Sequence, residues 1–136
     1  MTRRVLDTTF LIHYWGGDPR AERYLEAHEE EAEFLTTTLN LKEIAVGRQL
    51  QGAFDRQEIL ATFDWLTVVP FDIDHAFVAG ELEAVLRRTE SPNQDRVNAV
   101  LGDLLIAAVA RDLDAAVVTE NVDDFETFGG VAVESY

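Results

Sequence analysis

Cysteine is absent from this chain of 136 residues, and its absence excludes disulfide bridges and thiolate-bound zinc. Any bound metal ion would need oxygen or histidine ligands instead. The three histidines, His13, His28 and His75, share no spacing suited to a common site, so we interpret each as a surface or packing residue. Oxygen ligands are therefore the main candidates for a metal site.

Lysine is almost absent as well, since Lys42 is the only one and the other ten basic residues are arginines. The 11 basic residues face 26 acidic ones, which gives a net charge of −15. A plain nucleic-acid-coating module would be basic, so the composition argues against one. High acidity with so little lysine is typical of proteins that work in strong salt, where self-repulsion is screened. We therefore expect a halophilic protein.

No run of eighteen apolar residues occurs, and the amino-terminal segment shows no cleavage-type site, so we expect no membrane span and a cytoplasmic location. Internal repeats and low-complexity tracts are also missing. A chain of this length with 47% hydrophobic residues is the size of one domain with a two-faced core. We expect a single domain over residues 1–136.

Short apolar runs with strand character alternate with segments of helical periodicity along the whole chain. The predicted strands are residues 5–6, 34–37, 67–69, 115–119 and 131–133. The predicted helices are residues 10–15, 18–28, 38–51, 54–66, 74–88 and 97–110, with one clear loop at 89–96. This alternation predicts an α/β sandwich with a mainly parallel sheet and right-handed crossovers.

Acidic residues recur where the predicted strands end. Asp7 follows the first strand, Glu43 lies in the helix after the second, and 121–124 follow the fourth. Two of these acids also have an ordinary explanation. Asp7 can cap the next helix together with Thr8 and Thr9, and Glu43 has capping-box spacing from Asn40.

Asp103 has no such ordinary explanation, because it stands in the most apolar segment of the chain, residues 97–110. An unpaired buried carboxylate costs several kcal/mol, so we expect a cation or strong hydrogen bonds around it. Carboxylates gathered at one sheet edge suit Mg²⁺ or Mn²⁺. Such an ion can activate water and orient a phosphodiester.

Four segments resemble, in order, the signatures of PIN-domain nucleases: residues 5–12 (VLDTTFLI), 41–44 (LKEI), 103–108 (DLLIAA) and 119–125 (TENVDDF). Their spacing and the chain length are most similar to VapC-type toxins of toxin–antitoxin pairs. The resemblance implies an α/β/α sandwich with sheet order 3-2-1-4-5. It also implies an Mg²⁺- or Mn²⁺-dependent endoribonuclease that cuts tRNA or rRNA, forms a homodimer and is neutralised by a VapB-type antitoxin.

The resemblance assigns roles to individual residues. Asp7, Glu43 and Asp103 match the family's three acidic positions. Asn121 stands where many PIN domains have aspartate, so we favour Asp124 for the fourth position, with Asn121 and Asp123 in support. Thr9 stands where the family often has asparagine or serine, and its hydroxyl would support the metal site. The cations that we expect to bind the flanking RNA phosphates are Lys42, Arg48, Arg87, Arg88 and Arg96.

Three other functions are alternatives to this interpretation. A response-regulator receiver needs an aspartate after strand three and a lysine after strand five, but Pro70 follows strand three and Lys42 is the only lysine. A haloacid-dehalogenase-type phosphatase needs Asp-x-Asp after strand one, where this chain has Asp7-Thr8-Thr9. A catalytically idle PIN fold that serves as a binding module remains as the alternative.

The expected homodimer has a candidate surface in the sequence. Tyr14, Trp15 and the apolar residues of helices 38–51 and 54–66 offer more aromatic surface than one sheet face needs. The same residues can equally be ordinary core, since large aromatics are often buried.

Overall fold

A five-stranded parallel sheet forms the centre of the computed structural model, which describes residues 1–90 and 94–136. The strand order is β3-β2-β1-β4-β5, which confirms the predicted order. The strands are β1 (Thr2–Leu6), β2 (Ala32–Thr37), β3 (Thr67–Val69), β4 (Ala116–Val118) and β5 (Val133–Glu134). Their neighbouring pairs are all parallel, so their carboxyl ends share one edge.

Helices connect the strands and cover both faces of the sheet. They are α1 (Thr8–Trp15), α2 (Pro19–His28), α3 (Thr38–Leu50), α4 (Arg56–Thr62), α5 (Ile73–Glu90), α6 (Gln94–Asp112) and α7 (Val122–Glu126). None of the described helices is long and apolar enough to cross a membrane. The result is the predicted α/β/α sandwich.

Side-chain alternation along β1 divides the core between the two faces. Val5 packs with residues of α5 and α6, such as Leu82 and Leu104, whereas Leu6 packs with residues of α1 and α4, such as Phe10 and Ile59. All six side chains are at most 5% exposed. The first residue after this doubly covered strand, Asp7, therefore emerges from the middle of the core.

Several predicted boundaries were wrong. The helix predicted at 54–66 spans only Arg56–Thr62, because the side chain of Asp55 accepts a hydrogen bond from the backbone of Glu58 and fixes its start. The fifth strand is Val133–Glu134 rather than 131–133, and the fourth is shorter than 115–119. The predicted loop at 89–96 is narrower, since α5 reaches Glu90 and α6 begins at Gln94; its turn residues 91–93 lie outside the described residues.

The capping box of α3 is also displaced from its predicted place. Thr37, the last residue of β2, is the N-cap, and its hydroxyl accepts a hydrogen bond from the backbone N–H of Asn40. The side chain of Asn40 completes the box by accepting from the backbone N–H of Thr37. Glu43 therefore lies one turn further into the helix, where its side chain has no part in capping.

Candidate active site

Asp7 follows β1 directly and is only 2% exposed. Its backbone position is the N-cap of α1, but its side chain makes no capping hydrogen bond within the described residues. Instead, Oδ1 accepts a hydrogen bond from Nδ2 of Asn40 at 3.2 Å, and Oδ2 accepts one from Oγ1 of Thr119 at 2.8 Å. Burial raises the pKa of Asp7, and these hydrogen bonds act in the opposite direction. Neutral donors from two neighbouring strand ends thus fix this carboxylate.

Asn40 connects Asp7 to the next acid. Its side chain is fully buried, and Nδ2 donates to Oγ1 of Thr8 at 3.0 Å as well as to Asp7. Thr8 in turn donates from Oγ1 to Oε1 of Glu43 at 3.1 Å. Reduced hydration and the negative charge of Asp7 raise the pKa of Glu43. The side-chain amide of Asn40 therefore helps to orient two carboxylates, Asp7 directly and Glu43 through Thr8.

Asp103 approaches the same edge from α6. Burial, and after it the charges of Asp7, Glu43 and Asp124, together raise the pKa of its carboxyl to about 7. The structure thus places the four acids predicted from the sequence around one edge of the sheet. Asp7 precedes α1, Glu43 lies in α3, Asp103 lies in α6 and Asp124 lies in α7. The site concentrates negative charge in partly desolvated surroundings.

Three residues were candidates for the fourth acidic position. Asp124 lies in the first turn of α7, and its charge acts on Asp103. The backbone N–H of Asn121 donates to Oγ1 of Thr119 at 2.9 Å, which links the start of α7 to the hydroxyl that binds Asp7. Asp123 is exposed, and its backbone carbonyl accepts a hydrogen bond from Thr127. The electrostatic contact favours Asp124.

The sequence profile of the PIN domain matches residues 4–130 of this chain. The chain belongs to the PIN-domain family. PIN domains are generally nucleases that act on phosphodiester bonds. A search of curated proteins finds no significant match.

Solved structures similar to this PIN domain come from toxin–antitoxin complexes. VapBC2 from Rickettsia felis, bound to a fragment of its promoter DNA, contains a chain that is 19% identical with a TM-score of 0.79, and the match covers 99% of each chain. DNA-bound VapBC from Salmonella typhimurium gives 22% identity and a TM-score of 0.75, over 99% of this chain and 98% of the other. VapBC-5 from Mycobacterium tuberculosis gives 26% identity and a TM-score of 0.63, over 99% of this chain and 98% of the other.

Thr9, expected to support the metal site, lies on another side of α1 from Thr8. Its hydroxyl oxygen accepts a hydrogen bond from the backbone N–H of Glu120 at 3.3 Å. The hydroxyl also bonds Tyr136 and opposes the rise in the pKa of that phenol, which burial brings to about 12. In this PIN domain, Thr9 thus joins α1 to the segment after β4.

The predicted RNA-binding cations lie at different distances from the acids. The charge of Lys42 lowers the pKa of its neighbour Glu43. Arg96 Nη1 lies 3.7 Å from Oδ1 of Asp124, and its Nη2 donates to Oγ1 of Thr127. Arg87 pairs with Glu83 of its own helix at 2.8 Å, and Arg88 is exposed in the last turn of α5. Lys42 and Arg96 are therefore the two of these cations that act directly on a site acid.

Three contact residues of the site were missed by sequence reasoning. Thr8 and Asn40 were predicted as helix caps, and Thr119 as the end of a buried strand. Thr8 and Thr119 also fall in the signature segments, but no site role was predicted for either. Their positions in the sequence could have indicated a role in the site. Each of the three polar residues comes one to three residues after the end of a strand, at the carboxyl edge of the sheet. In an open parallel sheet, that edge is where ligand-binding residues collect.

Proposed function

We propose that this PIN domain is a divalent-metal-dependent endoribonuclease that acts as the toxin of a type II toxin–antitoxin pair. The observation that carries the proposal is the convergence of Asp7, Glu43 and Asp124 on Asp103, whose pKa is raised by burial and by these three negative charges. Such an arrangement is costly unless a cation joins it, and perturbed carboxyls in a cleft are typical of functional sites. The family's general nuclease activity supports the same conclusion.

The donor chemistry of the site fits Mg²⁺ or Mn²⁺. All four acids offer carboxylate oxygens, which these hard cations prefer. No three acidic or histidine side chains among residues 1–90 and 94–136 form a group that could enclose an ion as they are placed. Mg²⁺ needs no such enclosure, because it usually keeps several waters and binds through one or two carboxylates plus substrate phosphates. Asp7 and Asp103 are the residues that we expect to hold it, with Glu43 and Asp124 around them.

When bound, a divalent cation supplies Lewis-acid stabilisation for the phosphodiester and lowers the pKa of water beside it. The protein's own contribution is to fix the carboxylates before substrate arrives. Asn40 and Thr119 hold both oxygens of Asp7, and Thr8 orients Glu43. Asp103 carries a proton for part of the time near neutral pH, and this proton must leave before the carboxylate can bind a cation.

The proposed partners follow from the family and from the similar complexes. VapBC structures pair a toxin with its antitoxin, and we propose that a VapB-type antitoxin neutralises this chain in the same way. A homodimer is the second proposed assembly. The substrate is RNA, with tRNA or rRNA as the class to test first.

The alternative, a catalytically idle PIN fold, is less well supported. An idle binding module has no need for neighbouring carboxylates that raise the pKa of Asp103 and Glu43, because a raised carboxyl pKa lowers the stability of the folded protein at neutral pH. The present chain retains the whole set. This cost is understandable if the carboxylates act on a cation and a substrate.

A direct test is cleavage of total tRNA and rRNA by the purified protein in Mg²⁺, in Mn²⁺ and in EDTA. Wild type should cut only with metal, and both Asp7→Asn and Asp103→Asn should abolish cleavage while remaining folded. Asp64→Asn, which changes an exposed acid near α4, is the matched control and should cut normally. Full activity in both site variants, in protein free of contaminating nuclease, would refute the assignment. Mapping the cleaved ends in cells then identifies the RNA.

A further inference from the structure

A cavity of about 330 Å³ lies between α1 and α3, beside the acids. We call it the α1–α3 pocket. Its lining includes Ile12, Trp15, Glu43, Ile44, Gly47 and Arg48. Glu43 is thus shared between the pocket and the candidate active site. A group bound in the pocket would lie next to the carboxylates.

Two flat side chains form one wall of the α1–α3 pocket. The guanidinium carbon of Arg48 lies 4.7 Å from the centre of the Trp15 ring. Arg48 also contacts Glu58 through Nη2 at 3.3 Å and Gln51 through Nη1 at 3.4 Å. Aromatic rings and arginine guanidinium planes are the surfaces on which nucleic acid bases stack.

The net charge of the protein favours an uncharged group over a phosphate as the occupant of the pocket. Most RNA-binding proteins gain affinity by neutralising phosphates and releasing counterions, but a chain of net charge −15 gains little in this way. Arg96 and Arg48, two of the cations nearest the site, already contact carboxylates. A phosphate in the pocket would also meet the carboxylate of Glu43. An uncharged base meets no such repulsion, and stacking supplies affinity that does not depend on the protein's net charge.

We propose that the α1–α3 pocket binds one unpaired nucleobase of the RNA substrate, next to the phosphodiester that is cut. The base packs on the surface that Trp15 and the Arg48 guanidinium form together. The volume suits one small ring system, because it lies at the lower end of the range for small-molecule pockets, which begins at about 300 Å³. The proposal rests on the proposed ribonuclease function and adds a subsite to it.

Gly47 offers a way to fill the pocket without disturbing the fold. A Cβ atom added there would meet no heavy atom within 4 Å, and leucine favours a helix more than glycine does. Gly47→Leu should therefore fold and occupy the space of the base. Gly80→Leu is the matched control, because Gly80 is also a helical glycine with open space around it and lies in α5.

The experiment uses the fluorescence of Trp15 in a Trp65→Phe background, which leaves one tryptophan. Decamers of adenylate, uridylate and cytidylate are added in 1 M KCl with EDTA, so that no cleavage occurs. At least one decamer should quench Trp15, whereas an abasic decamer of equal charge should not. Gly47→Leu should weaken the binding of that decamer by about 5- to 150-fold, the range for one stacked base, and Gly80→Leu should leave it unchanged.

Cleavage assays in Mg²⁺ separate this proposal from the proposed function. Gly47→Leu should raise KM by a similar factor with little change in kcat, as expected when binding alone is weakened. If Gly47→Leu cuts RNA with wild-type KM, or if the abasic decamer quenches Trp15 equally, the subsite is wrong and the ribonuclease assignment stands. If wild type cuts no RNA but quenching still depends on bases and on Gly47, the nuclease assignment is wrong and the base pocket stands. Quenching by the co-expressed antitoxin and by no RNA would make the pocket a protein-docking site and overturn the proposal.

Discussion

Asn40 donates a hydrogen bond from Nδ2 to Oδ1 of Asp7 across 3.2 Å, and the same side chain accepts the backbone N–H of Thr37 at the start of α3. Asn40, which completes the capping box of α3, is therefore also the residue that orients the buried acid Asp7. Because β1 and β2 are neighbouring parallel strands, their carboxyl ends lie close enough for this link. The geometry of the site thus depends directly on how the second strand ends.

The first prediction tests this link with Asn40→Asp. The introduced carboxylate can still accept the hydrogen bonds of Thr37, but it removes the donor to Asp7 and places a second negative charge beside it. We expect the free energy of unfolding at pH 8 to fall by about 2–4 kcal/mol and cleavage to fall at least tenfold, as for a buried unpaired charge. Urea denaturation and RNA cleavage measure the two effects. Asn98→Asp, at an exposed position of α6, is the control. Wild-type stability and activity in Asn40→Asp would contradict the role given to Asn40.

The second prediction concerns the pH dependence of stability without metal. The folded-state pKa of Asp103, about 7, lies above its ordinary value of 3.8, so the folded protein binds more protons than the unfolded chain between these pH values. The free energy of unfolding should therefore fall as the pH rises through this window. Asp103→Asn removes this loss and should raise the free energy of unfolding at pH 8, with no gain at pH 3.5. The full pKa shift corresponds to about 4 kcal/mol, and solvent screening of this part-exposed carboxyl reduces the expected gain to about 1–2 kcal/mol.

Urea denaturation in EDTA at several pH values measures this difference. Asp64→Asn, an exposed acid, serves as the matched control and should follow the wild-type curve. Parallel plots of unfolding free energy against pH for wild type and Asp103→Asn would mean that neither burial nor the other three acids raise the pKa of Asp103. Saturating Mg²⁺ should reduce the difference at pH 8, because a bound cation compensates the negative charge.

The convergence of the acids could be predicted from the sequence. Asp7, Glu43 and Asp124 each follow a strand within a helical turn or two, and parallel strands place such residues at one edge. Asp103 was conspicuous because it interrupts an apolar helix. The strand order itself came from the family resemblance, since the alternation of elements alone allows several orders.

The hydrogen-bond and ion-pair partners of the acids could not be predicted in the same way. Thr37 with Asn40 and Asn40 with Glu43 have the same capping-box spacing, and the choice depends on where β2 stops. That end point is set by pairing with β1 and β3, which is a tertiary property. Similarly, Arg96 was expected only to bind RNA, and its pairing with Asp124 depends on how α6 and α7 pack.

The third prediction concerns the homodimer. Tyr14 and Trp15 pack mainly on Phe63 and Trp65 within the chain, so exposed apolar residues nearby, such as Leu50 at 84% exposure, are better candidates for the interface. We expect light scattering in 1 M KCl to give the mass of a dimer. Leu50→Glu should reduce it to a monomer, because it places a charge in an apolar contact.

Phe77→Glu is the control for the dimer experiment. Phe77 is 77% exposed, but it lies on α5, away from the surface that we expect to be buried. Dissociation by Phe77→Glu and not by Leu50→Glu would move the interface to α5. A monomeric wild type at high concentration would exclude the dimer.

The last prediction concerns salt, and it follows from the repulsion between a chain of charge −15 and a polyanionic substrate. Screening shortens to about 3 Å at 1 M salt, so long-range repulsion fades while short-range contacts at the site persist. We therefore expect both thermal stability and RNA cleavage at fixed Mg²⁺ to rise over part of the range from 0.1 M to 3 M KCl. An ordinary basic RNA binder would show the opposite trend, because salt weakens its counterion-release affinity.

A charge variant supplies the control for this experiment. Glu29 and Glu30 are exposed in the acidic run between α2 and β2, and replacing both with glutamine removes two negative charges at the amino-terminal edge of the sheet, opposite the site. The double variant should be more stable than wild type at 0.1 M KCl, where repulsion is weakly screened, and equal to it at 3 M. Stability and cleavage that both decline steadily from the lowest salt would contradict halophily. Such a result would leave the nuclease proposal intact, because the arrangement of the acids does not depend on the net charge.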